Sequence, residues 1–113
     1  METKSVVLAL AALAQESRLA IFRVLVQAGP AGLSAGKISA ATVIPPSSLS
    51  FHLKEMAHAK MLSSCQVGRF IIYAANYSTM NALLSFLTEN CCGGNPCTPV
   101  RVPSCSPSEE SPS

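Results

Sequence analysis

The spacing of hydrophobic positions changes along the chain and divides it into short elements. Residues 5–14 are almost continuously apolar and rich in Ala and Leu, which favours a helix that must be covered on most sides. Residues 16–27 are amphipathic, with Leu19, Phe22, Leu25 and Val26 on one face and Arg18 and Arg23 away from it. Gly29-Pro30 ends this second helix. Residues 34–41 offer a serine cap and a short helix containing Ile38. Residues 45–62 then predict the helix around which the chain is organised. Its apolar positions Leu49, Leu53, Met56 and Ala57 recur at helical spacing, and Ser47, Ser50, Phe51, Lys54 and His58 occupy the opposite face. Pro45 or Pro46 suits its first turn, and Ser47 or Ser48 is expected to serve the free N-terminal amides.

The period then shortens from helix to strand. Residues 61–67 and 70–75 are rich in β-branched and aromatic residues and flank Gly68-Arg69, the pattern of a β-hairpin with a short turn. Residues 78–90 return to a helical stripe of Met80, Leu83, Leu84 and Leu87, with Ser78 as the expected cap. Gly93-Gly94 and Pro96 stop any regular helix. The Pro- and Ser-rich residues 98–113 read as a disordered tail, leaving residues 1–97 as one domain. The expected fold class is mainly α, formally α+β: five helices with a two-stranded hairpin before the last.

Composition adds three constraints. The chain has 113 residues, of which 49% are hydrophobic and only 12% charged, and so apolar a small domain is expected to bury surface against a second copy as a homodimer. The longest apolar run, Val6 to Ala14, spans nine residues, well short of the roughly 20 that cross a bilayer, so no membrane partner is expected. The first residues lack the basic region of a secretory signal, which favours a cytoplasmic protein with reduced thiols. The net charge of +2 is weak, yet residues 37–69 hold Lys37, Lys54, Lys60 and Arg69 against Glu55 alone. The basic excess coincides with the polar-faced helix and the hairpin.

Two short helices joined by a tight turn, the second with a polar face, make the helix-turn-helix pattern, although this turn contains no glycine. A hairpin following it is a wing whose tip residue, Arg69, can meet a phosphate or enter a minor groove. With Gln-Glu-Ser-Arg-Leu-Ala-Ile-Phe at 15–22, Ser-Leu-Ser-Phe-His-Leu-Lys at 48–54 and Glu-Asn-Cys-Cys at 89–92, the chain resembles the winged-helix repressors of the ArsR/SmtB type over about residues 5–97. The resemblance implies a homodimer built on the first and last helices that binds double-stranded operator DNA until an inducer metalloid releases it. It assigns the groove-entering role to Ser47, Ser48, Ser50, Phe51 and Lys54. Serine hydroxyls can donate to phosphates or base edges, Lys54 displaces counterions, and Phe51 can press on thymine methyl groups. His52, at the flank of the apolar face, is expected to be a satisfied structural histidine, His58 a solvated or phosphate-facing one, and Cys65 a small buried hydrophobe.

The expected sensor is Cys91, Cys92 and Cys97, three soft thiol ligands within seven residues. Thiolates select thiophilic ions, and trivalent arsenic takes three of them, so arsenite, or antimonite, is the expected inducer. Neighbouring helical side chains diverge by about 100°. Convergence of Cys91 and Cys92 therefore needs the helix to fray, which Gly93 and Gly94 permit. Zinc is the rival ion and usually takes four ligands, a fourth of which Cys105 could supply; Cys65 is a further, disfavoured candidate ligand. Some arsenic-responsive members of the family carry a cysteine motif near the groove helix, but Ile38 to Ser50 contains none, so induction is expected to act through the last helix. A redox-sensing repressor of the same fold is one alternative, disfavoured because no Lys or Arg lies within three residues of Cys91 or Cys92 to lower a thiol pKa. A small thiol reductase is another, and it would want a Cys-x-x-Cys at a helix start, which is absent. The chain is therefore not expected to be an enzyme.

Overall fold

A computed structural model describes residues 1–89. They form α1 (Thr3–Leu13), α2 (Glu16–Ala28), β1 (Leu33–Ser34), α3 (Ala35–Thr42), α4 (Pro46–His58), β2 (Leu62–Val67), β3 (Phe70–Ala75) and α5 (Tyr77–Leu87). This is a winged helix-turn-helix, with the five helices and the hairpin that the residue pattern predicts. One strand was not anticipated. β1 pairs antiparallel with β3, Leu33 opposite Tyr73 and Ser34 opposite Ile72, so the sheet has the order β1-β3-β2. A two-residue strand is too short to show a period of two. Gly32 permits the pairing: at φ 73° it passes so close to β3 that a Cβ would collide with the Tyr73 carbonyl and the Ile72 side chain.

The core lies where α2, α3 and α4 meet the root of the sheet. Ile21, Leu25, Ile38, Leu49, Met56 and Met61 are its largest fully buried side chains. The face of α2 is rotated from the expected one, for Ile21 is buried with Phe22 and Leu25 whereas Leu19 stays 45% exposed. Both Leu19 and Ile21 are compatible with a helical stripe, and only the position of the neighbouring helices distinguishes them. On α5 Leu83 is buried and Met80 partly so, but Leu84 and Leu87 are exposed. On α1 Val6, Ala9 and Ala12 face the core, leaving Val7, Leu8 and Leu10 exposed.

Helix ends also depart from expectation in three places. Asn76 caps α5, its Oδ1 accepting from the Thr79 amide at 3.2 Å, and Ser78 lies inside the helix. Pro46 takes the first position of α4, but no side chain caps that helix; Ser47 and Ser48 lie within it. The same helix ends at His58, short of residue 62. Lys60 turns left-handed there, at φ 67°, while its amide donates to the Ala57 carbonyl and that of Met61 to Met56, each at 3.0 Å. This is a Schellman termination with lysine where glycine is usual. Ser34 does cap α3 as expected, accepting from the Lys37 amide at 3.4 Å.

The glycine-free turn between α3 and α4 has its own solution. Val43 adopts the left-handed conformation, φ 59°, with its side chain 87% exposed. A β-branched residue is a costly occupant of that region, by roughly 1–3 kcal/mol. Two side-chain bonds hold the turn in place: Ser39 Oγ donates to the Ile44 carbonyl at 2.6 Å and Thr42 Oγ1 to the Ile38 carbonyl at 2.7 Å. Val43→Gly is therefore expected to stabilise the domain by about 1 kcal/mol, after allowing for glycine's greater unfolded-state entropy. That corresponds to a rise of roughly 4–8 °C in Tm for a domain of this size. An unchanged or lower Tm in a thermal melt would show that the turn is not strained.

Candidate nucleic-acid interface

The position of α4 is set from beneath. Leu49, Leu53 and Met56 are each at most 2% exposed and repeat at helical spacing, so rotation of the helix about its axis would expel one of them from the core. The opposite face is thereby fixed towards solvent. Ser47, Ser50, Phe51 and Lys54 are exposed, as the residue pattern predicts, and so is Ser48; Ala57, expected on the buried face, is exposed too. Phe51 is 57% exposed, too open for a residue packed under the wing. Its ring meets that of His52 edge to face, with centroids 5.9 Å apart and planes at 62°.

His52 is buried, 9% exposed, but its Nδ1 has no hydrogen-bond partner. The expectation of a satisfied structural histidine is thus half corrected: helix α4 buries it, but its Nδ1 is not satisfied. At the start of α4 the lack of a side-chain cap leaves first-turn amides available to an anion, since the first intrahelical acceptor is the Pro45 carbonyl, bonded to Leu49 N at 2.9 Å.

The wing is built as the pairing of Val67 with Phe70 requires, leaving Gly68 and Arg69 as a two-residue turn. Gly68 supplies the positive φ, 61°, at the first turn position, which glycine favours in such hairpins. Gln66 Nε2 donates to the Gly68 carbonyl at 3.3 Å, and Arg69 is exposed at the tip. Lys37, in the first turn of α3, shares an open cleft of about 260 Å³ with Phe70 and Ile72 of the wing. Its charge was visible in the sequence, but its proximity to the wing depends on the β1–β3 pairing.

Cys65 is an exposed free thiol on β2 and not the buried hydrophobe expected. Its partner in register is Ile72, one of the pairs on the sheet face turned from the core pair Leu62 and Ala75. His58 is exposed and faces α1 and α5 across a cavity. Cys91, Cys92 and Cys97, the expected sensor, lie outside the described residues, as does Cys105. Among the described residues no group of three or more His, Cys, Asp or Glu side chains is arranged to hold a metal ion. No single helix there is long and apolar enough to cross a membrane.

A helix-turn-helix domain model matches residues 13–65, which span α2 to α4 and the start of the first strand of the wing. Among solved structures, an ArsR-like transcriptional regulator from Rhodococcus sp. RHA1 is 26% identical with a TM-score of 0.66, covering 74% of this chain and 76% of its own. HlyU from Vibrio cholerae N16961 is also 26% identical, with a TM-score of 0.63 over 81% of this chain and 99% of its own. The homodimeric winged helix-turn-helix DNA-binding domain of a possible ArsR-family regulator from Mycobacterium bovis shares the fold at 19% identity, with a TM-score of 0.62 over 81% of this chain and 85% of its own. No curated protein sequence gives a significant match. The domain match and the fold make this a helix-turn-helix protein of the kind found in DNA-binding transcriptional regulators, a non-enzymatic class. More closely, it has the winged helix-turn-helix fold of ArsR-type regulators.

The two faces of α4 are expected to respond differently to truncation. Leu49→Ala should cost about 2–5 kcal/mol of stability in denaturant titration, and Phe51→Ala no more than about 0.5 kcal/mol. Comparable losses for the two would mean that Phe51 belongs to the core.

Proposed function

We propose that this chain is a cytoplasmic repressor that binds a two-fold operator as a homodimer and is released by arsenite, or antimonite, at Cys91, Cys92 and Cys97. The observation that carries the DNA-binding part is the one-sided burial of α4, which leaves Ser47, Ser48, Ser50, Phe51 and Lys54 together on an exposed face. In this reading α4 enters a major groove, its uncapped first turn meets a phosphate, and Arg69 at the wing tip meets the backbone or the adjacent minor groove.

The homodimer is supported by Val7 and Leu10 on α1 and Leu84 and Leu87 on α5, each more than 40% exposed on helices that contact one another. The Mycobacterium bovis domain of the same fold is homodimeric. Two copies joined in this way present two α4 helices, and a two-fold reader needs them about one DNA turn, 34–36 Å, apart. A modest change at the interface is therefore enough to weaken binding.

For the inducer, the support is the donor set: three thiols within seven residues, the number and softness that trivalent arsenic takes. Cys91, Cys92 and Cys97 would hold the metalloid, whose thiophilicity would tie the three together. The cluster follows α5 in sequence, and α5 is tied to the reading helix at its other end. The Asn76 amide donates to the Met61 carbonyl at 2.9 Å, and Met61 closes the termination of α4. Tyr77 Oη donates to the Val26 carbonyl at 3.4 Å, linking the same end to α2. A displacement of α5 would thus be felt at the interface and at α4 together.

Lys54→Ala and Arg69→Ala are each expected to weaken operator binding and to lower the slope of log affinity against log salt by about two, one phosphate charge for each half of the dimer. An unchanged slope, measured by fluorescence anisotropy on an operator selected from random-sequence DNA, would remove that residue from the interface. Arsenite is expected to release reduced wild-type protein from the same DNA and to leave Cys97→Ser protein bound. Release of both at one dose would sink the three-thiol site.

A further inference from the structure

Between α1, the end of α4 and the start of α5 lies an open cavity of about 310 Å³, at the lower end of the range for small-ligand sites. Its lining includes the apolar Leu8 and Ala82, the hydroxyl-bearing Ser5 and Thr79, and His58 and Lys60. We propose that this cavity binds a small organic anion, a carboxylate or phosphate on a short apolar body, and so forms an effector site separate from the thiol cluster. The effector role rests on the DNA-binding reading, whereas the binding itself does not.

Three observations support the assignment. The lining residues combine apolar side chains with hydroxyl-bearing and basic ones and include no carboxylate, so their chemistry suits a negative group with an apolar tail. Lys60 occupies the left-handed position of the α4 termination, φ 67°, where glycine would relieve the backbone, so its ammonium group is retained at a conformational cost. Finally, the cavity does not compete with the proposed dimer face. At about 100° per residue, Ser5 and Leu8 lie roughly 160° round α1 from Val7 and Leu10, and the cavity residues of α5 are similarly opposed to Leu84 and Leu87. A ligand can therefore enter on one flank of the α1–α5 pair while a second copy covers the other. Because it would touch the last turn of α4 and both helices of the interface, its occupancy is coupled to the placement of the reading helix.

The test uses the full reduced chain and three probes, benzoate, hexanoate and phenyl phosphate, with benzyl alcohol as the neutral comparison. Amide resonances of Ser5, Lys60, Thr79 and Ala82 should shift saturably with at least one anion and at least tenfold more weakly with benzyl alcohol. Lys60→Gly, which removes the charge while suiting the left-handed backbone, should weaken binding at least tenfold without lowering Tm. Ala82→Leu should fill the cavity and abolish binding. Failure of all three anions to saturate, equal binding of benzyl alcohol and benzoate, or undiminished binding by the Lys60→Gly variant would overturn the site. Operator affinity unchanged at saturating anion would overturn its effector role. Loss of the DNA-binding reading itself would show separately, as wild-type protein that binds no operator with or without the anion.

Discussion

The structure depends on a helix held by one face. Leu49, Leu53 and Met56 sink into the layer formed by α2 and α3, and full burial of side chains of this size is worth roughly 1.5–3 kcal/mol each. That burial fixes the rotation of α4, and rotation decides which residues DNA would meet. The exposed serines, Phe51 and Lys54 contribute little to holding the helix in place. Their arrangement is a consequence of what lies beneath them, so the apolar stripe and the polar face are separable: one sets stability and the other is free to set recognition.

The same economy is absent at the ends of α4, where the backbone is held in conformations its residues do not favour. Val43 and Lys60 both take left-handed φ values without being glycine. Each is surrounded by hydrogen bonds that determine its geometry, from Ser39 and Thr42 at the first and from the paired Lys60 and Met61 amides at the second. The angle between α3 and α4 and the departure of the chain into the wing are thus set by local bonding and not by residue preference. Left-handed residues thus flank α4 on both sides, and each is kept there by the bonds around it.

Helices α1 and α5 connect that placement to the remainder of the molecule. Each buries only part of its apolar surface within the chain, and the remainder is split between an exposed apolar flank and a cavity lined by donors. A second copy on one flank and a small anion on the other would both act on the helix pair that leads to the thiol cluster. Under the proposed function, different inputs would converge on α4 without touching the side chains proposed to meet DNA, because Met61 and Asn76 join the end of α4 to the start of α5.

The sequence by itself determined the order and type of the elements, because long runs with a period of 3.6 or 2 record which backbone geometry buries them. It also identified the polar face of α4, since Leu49, Leu53 and Met56 leave no other face for the core. The hairpin was legible from Gly68-Arg69 between β-branched runs. What it could not determine were features that depend on a neighbour distant in sequence. Strand β1 exists because Gly32 allows close approach to Tyr73; Ile21 displaces Leu19 from the core because of where α3 and α4 lie; and Cys65 is exposed because β2 leaves the core after Leu62, every later residue of the strand being exposed. Tertiary structure also chose Asn76 over Ser78 as a cap and ended α4 at His58, ahead of the left-handed Lys60, positions that local propensity ranks closely. Periodicity reports which residues must be buried together somewhere, and only packing decides against what.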